Sequence, residues 1–183
     1  MRARRSSTMD ATAVSLSMIA PEIMPTWDET MLRLLAATAI GGAIGLNREL
    51  TKKPAGLRTH ALVALGTALV TVTALQLGGP NEAIHVDAAS RVIQGLVAGI
   101  GFIGGGVILH SEGRDVKGLT TAATIWVAAA LGISCGIGQW HIAGMTVVIA
   151  LVVLVAGRHV ETALHRHRQD DEERVVTESR NRD

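Results

Sequence analysis

The sequence has no tyrosine and one phenylalanine, Phe102, and three tryptophans complete its aromatic set. Few stacking side chains and a net charge of only +1 exclude a basic, aromatic-lined groove of the kind that holds nucleic acid. The single cysteine, Cys135, excludes an internal disulfide and any Cys-x-x-Cys metal spacing. It lies within an apolar run and reads as a small buried hydrophobe. The scarcest feature is charge inside the apolar runs. They contain no Asp, Glu, Lys or His, and Arg33 stands alone near the start of the first. Proton relays and dedicated cation pumps place carboxylates or histidines within the membrane, and magnesium demands hard oxygen ligands. No nucleophile–base pair stands out either, so neither an enzyme active site nor a bound cofactor or metal is expected.

What is present is 183 residues that are 48% hydrophobic, with a mean hydropathy of +0.34. Length points to one domain. Five apolar spans follow one another: Thr30–Leu46, Ala61–Leu77, Val92–Leu109, Leu119–Gly138 and Ile142–Ala156. Several are near or just under the length of a spanning helix, so their ends are expected to continue helically into the charged flanks. The fold class is therefore all-α, a polytopic membrane bundle of about five helices in the lipid bilayer. Residues 1–29 read as a flexible tail, too diluted by serine for a signal peptide. Residues 30–158 form the membrane domain, and 159–183 a charged tail whose His165-x-His167 pair is too bare for a metal site.

Glycine is concentrated in Gly95-Leu-Val-Ala-Gly-Ile-Gly-Phe-Ile-Gly-Gly-Gly-Val-Ile-Leu109. Gly99–Gly104 is literally G-x-G-x-x-G. The dinucleotide motif, however, needs a preceding strand and an acid about 20 residues on, and Glu112 comes far too soon. Gly95/Gly99 and Gly101/Gly105 are both G-x-x-x-G pairs, as is Gly41/Gly45 in the first span, and such pairs let helices approach closely in lipid. Small residues on two faces predict that the third span is the central, most enclosed helix. Gly104–Gly106 reads as close packing in preference to an unwound, cavity-lining segment. Thr120 or Thr121 is placed to cap the fourth span, and Thr120, Thr121 and Thr124 are all candidates for caps and interhelical hydrogen bonds.

Lys and Arg in the short loops set orientation. Arg48, Lys52, Lys53 and Arg58 follow the first span, Arg114 and Lys117 the third, and Arg158, Arg166 and Arg168 the fifth. The C-terminus then lies in the cytoplasm and the N-terminus outside, with Trp27 and Trp140 both at the outer interface. At the cytoplasmic border, Pro54 and Gly56 suit a sharp turn. Arg48, Glu49 and Arg58 form a candidate polar cluster or ligand site there, with Glu49 close to Arg58 and Arg91 a less certain member expected on the other side.

Four ordered blocks, Gly45-Leu-Asn-Arg-Glu49, Ala55-Gly-Leu-Arg-Thr-His60, Gly99–Gly106 and Val116-Lys-Gly-Leu-Thr-Thr-Ala-Ala-Thr-Ile-Trp126, resemble the MgtC/SapB family of membrane proteins, over Leu32 to about Val155. Asn47 departs from that pattern, which usually has an acidic residue there. Longer members carry a soluble C-terminal domain for which this sequence has no counterpart. The resemblance implies a bacterial inner-membrane protein tied to growth under magnesium limitation and, in pathogens, to survival inside host cells. It implies a regulator of other membrane machinery, the F-type ATP synthase included. The reading is thus a non-enzymatic regulator acting through helix contacts. The alternative is a small transporter or channel, in either case open to homo-oligomerisation, and a third reading is a lipid-headgroup or small-anion sensor at Arg48 and Arg58. The topology makes a direct prediction. Reporter fusions after His85 and Gln139 should be active only in the periplasmic assay, and fusions after Lys53 and Asp115 only in the cytoplasmic one; cytoplasmic activity at His85 would refute it.

Overall fold

A computed structural model describes residues 25–77, 82–109 and 118–159. The terminal tails, with His165 and His167, and the two stretches 78–81 and 110–117 lie outside the described residues. Among those described, all regular structure is helical, in five helices each long and apolar enough to cross a membrane. They are α1 (Trp27–Leu50), α2 (Leu57–Leu77), α3 (Glu82–Leu109), α4 (Leu119–Ile137) and α5 (Trp140–His159). The helices extend beyond the apolar spans into the charged flanks. α1 therefore carries Asn47, Arg48 and Glu49, and α2 carries Arg58 and His60.

The ends follow from local chemistry. Thr26 caps α1 by accepting from the Glu29 N–H at 3.3 Å, and Asp28 and Glu29 sit in the first turn, at the positive end of the helix dipole. α4 is bounded by two left-handed glycines, Gly118 (φ 87°) and Gly138 (φ 88°), a conformation that disfavours a Cβ. The expected threonine cap is corrected here: the N-cap of α4 is Gly118, with no side-chain cap bond, and Thr120 and Thr121 lie inside the helix.

Interhelical contacts give the directions. Gly41 abuts His60 and Ala64, and Gly45 abuts Gly56 and Leu57, so α1 and α2 form an antiparallel hairpin. His60 meets Thr124, Thr67 meets Ala129 and Thr71 meets Gly136, so α2 and α4 run parallel. α3 lies antiparallel to α4, with Gly104 beside Ala122 and Val107 beside Gly118. The end of α1, the starts of α2 and α4 and the end of α3 therefore share one end of the bundle. Trp27 and Trp140 share the other.

The core is the α1–α2–α4 triangle, filled with small side chains. Ala37, Ile44, Ala64, Ala68, Leu131 and Cys135 form one buried cluster, with Ala143 of α5 against it. The tightest seam joins α2 to α4. A Cβ on Gly132 would fall 2.1 Å from Thr67 Oγ1 and 2.3 Å from the Ala64 carbonyl oxygen, and one on Gly136 would fall 2.8 Å from Thr71 Cβ.

The expectation that the glycine-rich third span is central is overturned. Half of the α4 span is buried, against 6% of the α3 span, and among the described residues no atom beyond the helix's own local backbone lies within 4 Å of a Cβ built at Gly95, Gly99, Gly101 or Gly105. Close packing needs a glycine and a complementary knob on the neighbour. Thr67, Thr71, Ala64 and Ala68 supply knobs to α4, whereas only Gly104 of α3 meets one, Ala122 Cβ at 3.6 Å. α3 is continuous helix through Leu109, so Gly104–Gly106 is not an unwound segment.

This geometry orders the glycines. Gly132→Leu and Gly136→Leu should each destabilise by at least the ~1–3 kcal/mol of an overpacked core, read as lost monodisperse protein in detergent extracts. Gly99→Leu and Gly105→Leu should leave the yield of an isolated chain near wild type. Equal losses at all four positions would contradict the α2–α4 seam.

Candidate functional site

Two arginines of α1 reach α4, one at each end. At the first, Arg33 is 9% exposed and donates through Nη1 to the Gly136 carbonyl oxygen at 2.8 Å. That oxygen is among the last carbonyls of α4, which have no partner within the helix. A cation also suits the negative end of the helix dipole. Glu29, one turn before, accepts from Arg33 Nε at 3.2 Å and from Nη2, completing an ion pair.

At the other end Arg48 is 3% exposed and donates through Nη2 to the Thr121 hydroxyl. The network continues inward. Thr124 lies 2.9 Å from the Thr121 carbonyl oxygen and 3.0 Å from His60 Nε2, while His60 Nδ1 lies 3.0 Å from the Gly56 carbonyl oxygen. A carbonyl only accepts, so Nδ1 carries a proton, and the single Thr124 hydrogen chooses between His60 Nε2 and the Thr121 carbonyl. His60 is fully buried. Its position at the start of α2, one residue before the apolar run, hid it from a search for histidines inside the spans.

Arg48 differs from Arg33 in one respect. It has no carboxylate partner among the described residues, and its Nε is buried with no hydrogen-bond acceptor. It lines a groove of about 560 Å³ between the ends of α1, α4 and α5, with Lys53 and Thr120 on the same groove. The loop crossing this end places two non-glycine residues in the left-handed region, Lys52 (φ 54°) and Ala55 (φ 56°), an uncommon conformation.

Arg48, Glu49 and Arg58 lie at the same end of the bundle but divide between two sites, Arg48 on the groove and Glu49 with Arg58 on a separate depression. Glu49 points across the α1–α2 turn, where Oε2 accepts from the Leu57 N–H at 3.0 Å. It thereby satisfies one of the first, unpaired amides of α2. Arg58 is exposed and shares a separate surface depression with Glu49 without an ion pair between them. Arg91 stands at the far end of the bundle, exposed and paired with Asp87 at 3.0 Å. Sequence distance brought Glu49 and Arg58 together; helix phase separated both from Arg48. Of the threonines, Thr121 and Thr124 bridge helices, whereas Thr120 is exposed on the groove. Among the described residues no group of three His, Cys, Asp or Glu side chains converges as a metal site. Gly132-x-x-x-Gly136 has the same spacing as the glycine pairs singled out in the first and third spans and was the missed signal for the true seam.

The comparisons agree with this architecture's membrane character. The profile of the MgtC family matches residues 34–163. Protein SrpB of Synechococcus elongatus is 46% identical over 123 residues, covering 63% of this chain and 68% of that protein. Protein MgtC of Salmonella typhimurium is 41% identical over 121 residues, 66% of this chain and 49% of its own length. An uncharacterized protein of Haemophilus influenzae is 38% identical, with 59% of its length covered. This chain thus spans 49–68% of the length of these relatives. No solved structure matches it.

Coupling measurements distinguish the polar pairs. In double-mutant cycles on thermal stability, His60→Ala with Thr124→Val should be non-additive by about 0.5–3 kcal/mol, as for groups in one network. Glu49→Gln with Arg58→Gln should add to within about 0.5 kcal/mol. The reverse pattern would restore the Glu49–Arg58 clamp.

Proposed function

The chain belongs to the MgtC family, and from that premise we propose that it is a non-enzymatic regulator of other membrane machinery in the bacterial inner membrane, active when magnesium is limiting. The observation that carries this reading is the lateral surface of the bundle. Outside the packed α1–α2–α4 triangle, the α3 and α5 spans are each only 6% buried. Their exposed side chains, Phe102 and Ile103 on α3 and Met145, Ile149, Val152 and Val153 on α5, are apolar. Helices associate in lipid by close van der Waals contact at small residues. The exposed Gly95, Gly99 and Gly101 of α3 offer a backbone that a partner helix can approach.

The interior supports the same reading. The buried charged groups sit at the two ends, and the described middle of the core is alanine and aliphatic side chains with Thr67 and Thr71, whose hydroxyls donate to backbone carbonyls. Intramembrane charged groups of the kind that mark ion paths are not among the described residues of that middle. The name of the Salmonella relative connects the family to this proposal; the F-type ATP synthase is the candidate target implied by the resemblance.

Two assays test the proposal together. In-membrane crosslinking from α3, followed by purification and mass spectrometry, should recover another membrane complex from magnesium-starved cells. Gly99→Leu should remove at least nine-tenths of that crosslink and the growth advantage at low magnesium while leaving the protein folded. Purified protein in proteoliposomes should carry no ion flux above empty vesicles. Solute flux abolished by Arg48→Gln would instead establish the transporter alternative.

A further inference from the structure

The groove beside Arg48 combines three features that converge on one ligand chemistry. The first is an uncompensated buried cation. Arg48 is 3% exposed, has no carboxylate partner among the described residues and keeps an Nε without an acceptor. A buried charge lacking a partner is strongly unfavourable, and a counter-charge relieves it. The second is the start of α4, a helix of 19 residues whose N-cap, Gly118, supplies no side-chain acceptor. Its first amides point outward and carry the positive end of the helix dipole. Arg48 sits at that positive end. The carbonyl end of α1, its own helix, offsets only about half a charge. The third is the lining. Lys53 and the Thr120 hydroxyl add a cation and a donor, while Val153 and Leu154 of α5 form an apolar wall. Among the described residues no Asp or Glu lines the groove.

We propose that this groove is a binding site for a phosphate oxyanion, the natural source being the headgroup of an anionic phospholipid. A bidentate guanidinium, helix amides and a lysine form the donor set that recognises a phosphate. The volume of about 560 Å³ is within the range of small-ligand sites. The wall of α5 continues into the membrane-facing side chains Val152, Val153 and Val155. A phosphate held at Arg48 therefore has an apolar surface beside it for acyl chains, which a soluble phosphate would leave unused. The site lies at the end of the bundle, apart from the α3 surface assigned to partner contacts, so each reading stands or falls alone.

The test is thermal unfolding of the full chain purified in neutral maltoside detergent. Phosphatidylglycerol mixed into the micelles should raise Tm by on the order of 5 °C over the same amount of phosphatidylcholine, the gain expected for a ligand that binds only the folded state. Lys53→Gln and Thr120→Val, both at exposed positions, should lose at least half of the rise, and Asn47→Asp, which sets a negative charge on the groove, should abolish it. Arg58→Gln removes the same charge from the same end outside the groove and should keep the full rise. Arg48→Gln should erase the lipid dependence; if it fails to fold, the Lys53, Thr120 and Asn47 variants still decide. A second arm replaces lipid with inorganic phosphate at constant ionic strength. A rise there that Lys53→Gln and Asn47→Asp diminish would keep the oxyanion site and assign it to a soluble phosphate. No rise with either anion, or equal losses in Arg58→Gln and Lys53→Gln, would overturn the proposal.

Discussion

Everything in this bundle depends on how α1 holds the two ends of α4. Arg33 and Arg48 are spaced by about fifteen residues, as are their contacts Gly136 and Thr121, which is about 22 Å along each helix. Two charged side chains that must leave water set the antiparallel register of α1 against α4. A slip by one turn would strand both at once, and stranded charge is among the costliest errors a membrane protein can make. The two contacts are not equivalent. Arg33 meets one carbonyl and a carboxylate, so its charge is answered within the chain. Arg48 meets a hydroxyl at the positive end of a helix, and no carboxylate among the described residues answers its charge.

Between these charged ends the helices are held by contact. Lipid is as apolar as leucine, so burying hydrocarbon gives little, and close approach of backbones gives most. Gly132 and Gly136 accept Thr67 and Thr71, and Gly41 and Gly45 accept the start of α2. The Thr67 hydroxyl lies 3.0 Å from the Ala129 carbonyl oxygen, adding a polar bond to a seam made by shape. The resulting triangle is small and tight, which leaves α3 and α5 as lateral walls.

That division separates two kinds of surface. The membrane-facing walls suit other helices, with the exposed glycines of α3 the most permissive stretch. The charged end, with its strained loop and the Arg48 groove, suits anions. Among the described residues neither surface carries a metal-ligand set.

The sequence by itself determined the five spans, their continuation into charged flanks, the turn after α1 and the family, because hydropathy, loop charge and local motifs are properties of contiguous residues. Thr121 and Thr124 were legible as bridging groups for the same reason: a threonine inside an apolar run must find its partner in protein. Tertiary structure alone decided which helix is central and which polar groups meet. Glycine content marks a helix that can be approached closely, but the complementary knob lies on another helix, so the glycines of α3 stayed bare while Gly132 and Gly136 were filled. Glu49 and Arg58 line one depression without an ion pair, Glu49 accepting from the Leu57 N–H instead, while Arg48 and Thr121, far apart in sequence, touch. Side-chain direction at a helix end follows the phase of the helix and the crossing of its neighbours, and neither is written within a single span.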